Sequence, residues 1–228
     1  MLDIASALEI VLKSREDVRS GPSDIVNKAA EKIATDILAC VSEGPDSLTQ
    51  ELKIGLREAA RRIDRVSIAV TGLAWLGSGV SSLDQEIISL IRGARREIAL
   101  CAYTITPSAE SVLAALAEAV NQGIFATIAL NSFCEQATSV QEFLRNLDRS
   151  CPDRCRVRDF EPVSSGAQLH AKVLVADRST ALVGSANLSF HGMTLNHEMA
   201  LIVHGPTAEN VAARLDLLLQ RAQPVPMT

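Results

Sequence analysis

The sequence predicts an α/β fold, a mixed, largely parallel central sheet flanked by helices, preceded by a helical N-terminal extension. Three observations carry this. From residue 66 onward, apolar runs of strand length alternate with amphipathic stretches of helix length. Before residue 66, apolar residues recur only at helical spacing. The later part is denser in strand-like runs, joined by turn-forming residues.

Residues 1–65 make up the expected extension. In "SDIVNKAAEKIATDILACVSEG", Ile25, Ala29, Ile33, Ile37 and Val41 share one helix face, Ser23 suits the N-cap, and "EGP" supplies a stop. "SLTQELKIGLREAARRIDR" opens with the Ser47-x-x-Gln50 capping-box pattern and carries a Leu/Ala/Ile stripe. Its end gathers Arg57, Arg61, Arg62 and Arg65, cations that a helix C-terminus favours through its dipole. A patch facing nucleic acid is the alternative reading of that cluster.

Residues 66–228 read as one domain. "VSIAVTG" predicts a strand, "SSLDQEIISLIRGARRE" a helix, "IALCAYT" a strand, "SAESVLAALAEAVNQG" a helix closed by Gly123, and "IFATIAL" a strand. Such a βαβαβ order implies parallel strands whose crossover helices cover the sheet. Next, "LHAKVLVA" and "TALVG", separated by "DRS", predict a hairpin. "HEMALIV" adds a strand, and "TAENVAARLDLLLQRA" a closing helix.

The composition, 47% hydrophobic and 21% charged, is that of a soluble globular protein, and with only 3% aromatic residues the core must be mainly aliphatic. A net charge of -5 confines any polyanion contact to a local basic patch. No apolar run approaches the roughly 20 residues of a membrane-spanning helix. "MLDIASALEIVLKSRED" lacks the pattern of a secretory leader, so a cytoplasmic protein with no integral membrane association is expected. Cys40, Cys101, Cys134, Cys151 and Cys155 form no regular framework, and "CPDRC" reads as loop thiols rather than half a metal site.

In "LHAKVLVADRSTALVGSANLS", side-chain alternation puts His170, Lys172 and Leu174 on one strand face and Leu169, Ala171, Val173 and Val175 on the other. The second face is expected to be core and the first to open a site. Asp177 ends the strand, and Gly184, Ser185 and Asn187 follow at a tight connection where Gly184 permits close backbone approach. Taken singly, each residue has an ordinary explanation: a packed His, a snorkelling Lys, turn-forming Asp and Asn. Their joint spacing is the informative feature.

The string His170-x-Lys172-x4-Asp177-x6-Gly184-Ser185-x-Asn187 resembles the HKD signature of the phospholipase D superfamily at every fixed position. "NHEMALIV", with Asn196 and Glu198, is similar to the segment that supplies the family's His-orienting carboxylate. The resemblance extends over roughly Val66 to Val203. It implies a phospholipase D-like fold and phosphodiester chemistry in which one His attacks phosphorus and a second His protonates the leaving oxygen and then activates water. Carried onto this chain, His170 is the nucleophile, Lys172 and Asn187 hold the non-bridging oxygens, and Glu198 accepts a hydrogen bond from the other nitrogen of His170. Ser185 adds its hydroxyl or N–H, while Asp177 and Gly184 serve the motif's structure. Lys and Asn would supply the positive charge that a divalent ion supplies elsewhere, so neither metal nor other cofactor is expected.

His191, His197 and His204 are not followed by Lys at the motif's spacing, leaving a single copy of the motif. A two-His site then implies a homodimer whose two-fold axis brings both His170 side chains to one phosphate. Nucleic acid is the leading substrate, with Arg92, Arg95 and Arg96 as candidate backbone contacts. Phospholipid is the alternative. The "VTG" strand and the extension are also similar to the phospholipase D-like component of the DISARM anti-phage system, which implies possible partner proteins in a defence complex and leaves open a weakly catalytic binding role. Tyr103, Phe133, Phe160 and Phe190 are assigned to core packing.

Overall fold

The computed structural model describes residues 64–75, 77–160 and 166–225. The helices expected before residue 64 lie outside the described residues, and Arg65 opens a strand rather than ending a helix. Strand β1 (Arg65–Thr71) is followed by β2 (Ser81–Ser82), helix α1 (Leu83–Gly93), β3 (Glu97–Ala102), α2 (Glu110–Asn121) and β4 (Phe125–Asn131). Then come α3 (Thr138–Ser150), β5 (Cys155–Phe160), the hairpin strands β6 (Lys172–Ala176) and β7 (Thr180–Gly184), a π-helical turn (His191–Leu195), β8 (Glu198–His204), α4 (Pro206–Leu219) and β9 (Gln223–Pro224).

One sheet runs in the order β2-β1-β8-β7-β6-β3-β4-β5-β9. Its parallel character is only partial. β3, β4 and β5 are parallel, as are β1 and β2, whereas β6 is antiparallel to both β3 and β7, β7 to β8, and β5 to β9. The connections decide this: α2 and α3 are crossovers long enough for parallel return, while the short turn after Ala176 permits only a hairpin. β1 stands four places from β3, because the hairpin and β8 lie between them.

Helix α3 and strand β5 occupy a stretch for which the sequence reading has no element. In α3, Val140, Leu144 and Leu147 supply the buried stripe. In β5, exposed Arg156 and half-buried Arg158 alternate with buried Cys155, Val157 and Asp159, so charge hides the strand pattern. Cys155 is therefore a core residue and not a loop thiol; burial, with Asp148 and Cys151 adding to it, pushes its thiol up to about 12.

Both faces of the sheet carry helices. Helices α1, α2 and α3 pack on one, with Leu83, Ile91, Val112, Leu116 and Leu144 against Ile98, Leu100, Ile128 and Leu174. Helix α4 packs on the other through Ala208, Ala212 and Leu215, against Cys101, Ala129, Val175 and Ala181. Each fully buried Leu or Ile contributes roughly 1.5–3 kcal/mol. The alternation expected in β6 holds, but its consequence differs: Leu174 and Ala176 enter the first core, and Val175, with Leu169 ahead of the strand, enters the second. A central strand buried on both sides leaves its end, rather than a face, for chemistry. Among the described residues, no helix is long and apolar enough to cross a membrane.

Candidate functional site

The site forms where β6 begins. His170 lies two residues ahead of the strand proper and is exposed, while Lys172, its first residue, is buried at 9% exposure. The Lys172 Nζ lies 3.0 Å from His170 Nδ1 and 3.1 Å from Nε2, and donates to the His170 carbonyl at 2.9 Å. A nitrogen nearly equidistant from both ring nitrogens sits across the imidazole, not along either lone pair.

Pairing across the hairpin explains the motif's second half. Lys172 is paired with Gly184, so the chain returns to the height of Lys172 at the point where Ser185 and Asn187 begin. A Cβ on Gly184 would stand 2.7 Å from the Ala200 Cβ and 3.0 Å from the Met199 carbonyl, so only glycine lets β7 approach β8 this closely. That approach joins Ser185 to Glu198: the Ser185 hydroxyl donates to Glu198 Oε2, and Asn196 Nδ2 donates to Oε1 at 3.1 Å. The expected hydrogen bond from His170 to Glu198 is therefore not the one formed, because Ser185 and Asn196 hold the carboxylate and Lys172 meets the imidazole. Burial lowers the Lys172 ammonium below the ordinary lysine value, with the negative charge of Glu198 partly offsetting it.

Asn187 Oδ1 is buried with no hydrogen-bond partner among the described residues. An orphaned amide oxygen of this kind is costly unless another group meets it. The residue's backbone is fixed by its surroundings. The π-helical turn sets Gly192 so close that a Cβ there would lie 2.3 Å from the Asn187 carbonyl oxygen. The loop is also tied to the exit of β3 by Thr106 N–H donating to the Leu188 carbonyl at 2.8 Å and Phe190 N–H donating to Ser108 Oγ at 2.8 Å.

Asp177 stands at the opposite end of β6, in the hairpin turn. Its Oδ2 accepts from the Arg95 N–H at 2.9 Å, and its Oδ1 from the N–H groups of Arg96 at 2.8 Å and Glu97 at 3.1 Å. Burial raises its carboxyl, but these three bonds and the Arg96 charge outweigh that and hold it below the usual carboxylate value. Its structural assignment thus gains a definite partner, the start of β3. The same bonds place Arg95 and Arg96 roughly 17 Å of strand away from Lys172, and Arg92 pairs with Glu118 at 3.1 Å. The three arginines are not brought to His170.

Sequence reasoning assigned four aromatics to the core. Phe133 is there, at 0% exposure, whereas Phe190 is 51% exposed. Tyr103 packs its ring on His170, with centroids 5.1 Å apart.

Residues 87–219, more than half of the chain, match the family described as cardiolipin synthase, PLD-like domain. The chain belongs to the phospholipase D-like family. This superfamily includes nucleases and phospholipid enzymes. Its fold is shared by the phospholipase D family member Nuc from Salmonella typhimurium, with a TM-score of 0.58 and 19% identity over 72% of this chain and 99% of that one. NucT from Helicobacter pylori gives 0.59 and 19%, over 72% and 100%. Phosphatidylserine synthase from Haemophilus influenzae gives 0.53 and 18%, over 72% and 40%. The DISARM protein DrmC of Bacillus paralicheniformis is 27% identical over 120 residues, 52% of this chain and 48% of that protein, so the chain spans about half the length of this relative.

Proposed function

We propose that this phospholipase D-like chain is a metal-independent phosphodiesterase that cleaves nucleic acid through a phosphohistidine on His170. The observation that carries the reading is an exposed imidazole held against the side chain of a buried lysine, whose Nζ lies within 3.1 Å of both ring nitrogens. In the first step a ring nitrogen of His170 attacks phosphorus and the bond to the leaving oxygen breaks, that oxygen taking a proton from a second imidazole. In the second step that imidazole takes a proton from water, the water oxygen bonds to phosphorus and the P–N bond breaks, freeing His170. Lys172 and the Asn187 amide N–H groups neutralise the non-bridging oxygens through both steps.

The second imidazole is assigned to the partner's His170 across a two-fold axis. An exposed apolar strip among the described residues supports a second copy here: Val183 and Leu201, paired across β7 and β8, are 39% and 45% exposed, and Met199, 44% exposed, continues the strip beside Glu198. Glu198, anchored by Ser185, then supplies negative charge to the imidazolium that forms during turnover. The proposal places the protein in the cytoplasm, within anti-phage defence as the likeness to DrmC suggests. The likeness to a phosphatidylserine synthase makes phospholipid the second reading, and a partner-dependent component of a defence complex the third.

Wild type and His170→Ala are to be incubated in EDTA with single- and double-stranded DNA, RNA, a chromogenic diester and phospholipid vesicles. Nucleic-acid cleavage that falls by roughly 10³-fold or more in the variant is expected. Equal cleavage by both proteins rules out His170 as the nucleophile, and turnover of vesicles alone favours the lipid reading. Light scattering on the active fraction tests the shared site, which fails if that fraction is monomeric.

A further inference from the structure

Tyr103 directly follows β3 and is half-buried at the site. Its ring plane is tilted 54° to the His170 imidazole, and its centroid lies 5.6 Å from Lys172 Nζ. Since Nζ also lies within 3.1 Å of both His170 ring nitrogens, the two rings and the ammonium form a closed triangle. An aromatic face attracts a cation electrostatically, and the attraction grows as water is removed. For a lysine only 9% exposed, that face replaces part of the hydration its ammonium loses.

The ring is not on a freely moving loop. Gln136, itself 9% exposed, donates from Nε2 to the Tyr103 carbonyl at 3.2 Å and to the Asn131 carbonyl at 2.7 Å. Its Oε1 accepts from Thr104 Oγ1 at 2.9 Å and the Ile105 N–H at 3.2 Å, so the amide is fully used. Asn131 Oδ1 in turn accepts from the Leu169 N–H at 2.8 Å, immediately before His170. Two buried amides therefore tie the backbone of Tyr103 to the backbone that carries the imidazole.

We propose that Tyr103 is a positioning residue of this site: its ring holds the His170 imidazole and the Lys172 ammonium in register, and Gln136 and Asn131 determine where that ring stands. The proposal rests on the reading of His170 as nucleophile and Lys172 as phosphate clamp. The role belongs to the face of the ring and not to the hydroxyl. Titratable groups facing Lys172 are His170, Glu198 from β8 and Tyr103 from the end of β3.

The test compares wild type with Tyr103→Phe and Tyr103→Leu by kcat and KM on a nucleic-acid diester, thermal melting, and the pH titration of the Lys172 ammonium followed by nitrogen NMR. Tyr103→Phe should stay within about threefold of wild type in kcat and leave the titration in place. Tyr103→Leu should lower kcat roughly tenfold, with a smaller change in KM, and move the Lys172 titration to lower pH. An unmoved Lys172 titration in Tyr103→Leu overturns the proposal whatever the melting temperature does, because a merely structural ring would lower stability alone. Equal losses in Tyr103→Phe and Tyr103→Leu overturn it too, by assigning the effect to the hydroxyl. If wild type cleaves no diester, the proposed function fails, while the NMR titration still decides the role of the ring.

Discussion

Replacing Asp177 separates anchoring from catalysis within the motif. Asp177→Asn keeps a side chain that tolerates the left-handed backbone of the turn, where φ is 53°. Its amide oxygen can retain the Arg96 and Glu97 N–H groups, but its NH₂ then faces the Arg95 N–H, donor against donor. Because the bonds to Arg95 and Arg96 are solvent-exposed, water replaces part of what is lost, and we expect a cost of about 1 kcal/mol. Asp177→Ala loses all three acceptor contacts and adds left-handed strain, for roughly 2–3 kcal/mol. On the scaling for chains of this size these are falls in Tm of about 2–4 °C and 4–12 °C. The carboxyl is held below its ordinary value in the fold, so its contribution is complete above about pH 3.9 and is lost as pH falls through the lowered value. The gap between wild type and Asp177→Asn should therefore close in acid. Thermal melts by circular dichroism across that range, with kcat measured on the same samples at neutral pH, make the check. With the carboxylate about 17 Å of strand from Lys172, kcat should hold. Lost turnover with an unchanged Tm would refute the structural assignment.

Two further outcomes follow from the site. Gly192→Ala forces a Cβ into the Asn187 carbonyl, so Asn187 must move by the order of 1 Å; kcat should fall roughly 10- to 100-fold, against a stability cost of about 1–3 kcal/mol, as kinetics and melting on one preparation would show. If Lys172 is the proposed clamp it must be charged to hold phosphate, and since its burial lowers its titration, activity should decline on the alkaline side at a pH below that of an ordinary lysine; a kcat/KM profile with no such limb counts against Lys172 as the clamp.

The residues of the candidate site were more legible than the sheet that holds them. His170, Lys172, Gly184, Ser185, Asn187 and Glu198 all meet at one end of the hairpin because strand pairing is local, and a turn of a few residues sets its register. The parallel fraction of the sheet was less legible, since the βαβαβ rhythm is silent on β1 lying beyond β8. Strand β5 escaped notice because its pattern is written in Arg and in a buried Asp159, whose Oδ1 accepts from the Phe133 N–H at 2.7 Å. The bond partners of Glu198 escaped for another reason: alternation along a strand says which face a carboxylate takes but not which neighbour it meets. Tyr103 carried no signal beyond its rarity, because it becomes part of the site through Gln136 and Asn131, more than 25 residues along the chain.

The pairing of Lys172 with Gly184, together with the clasp of Asp177 on β3, turns the motif's spacing into a measure of length. Four residues between Lys172 and Asp177 span one strand, and the six after Asp177 finish the turn and bring the chain back to where it began. Those intervals record no chemistry of their own. They are a ruler cut to the depth of the sheet, and one residue more in β6 would turn the ammonium and the imidazole together toward α4.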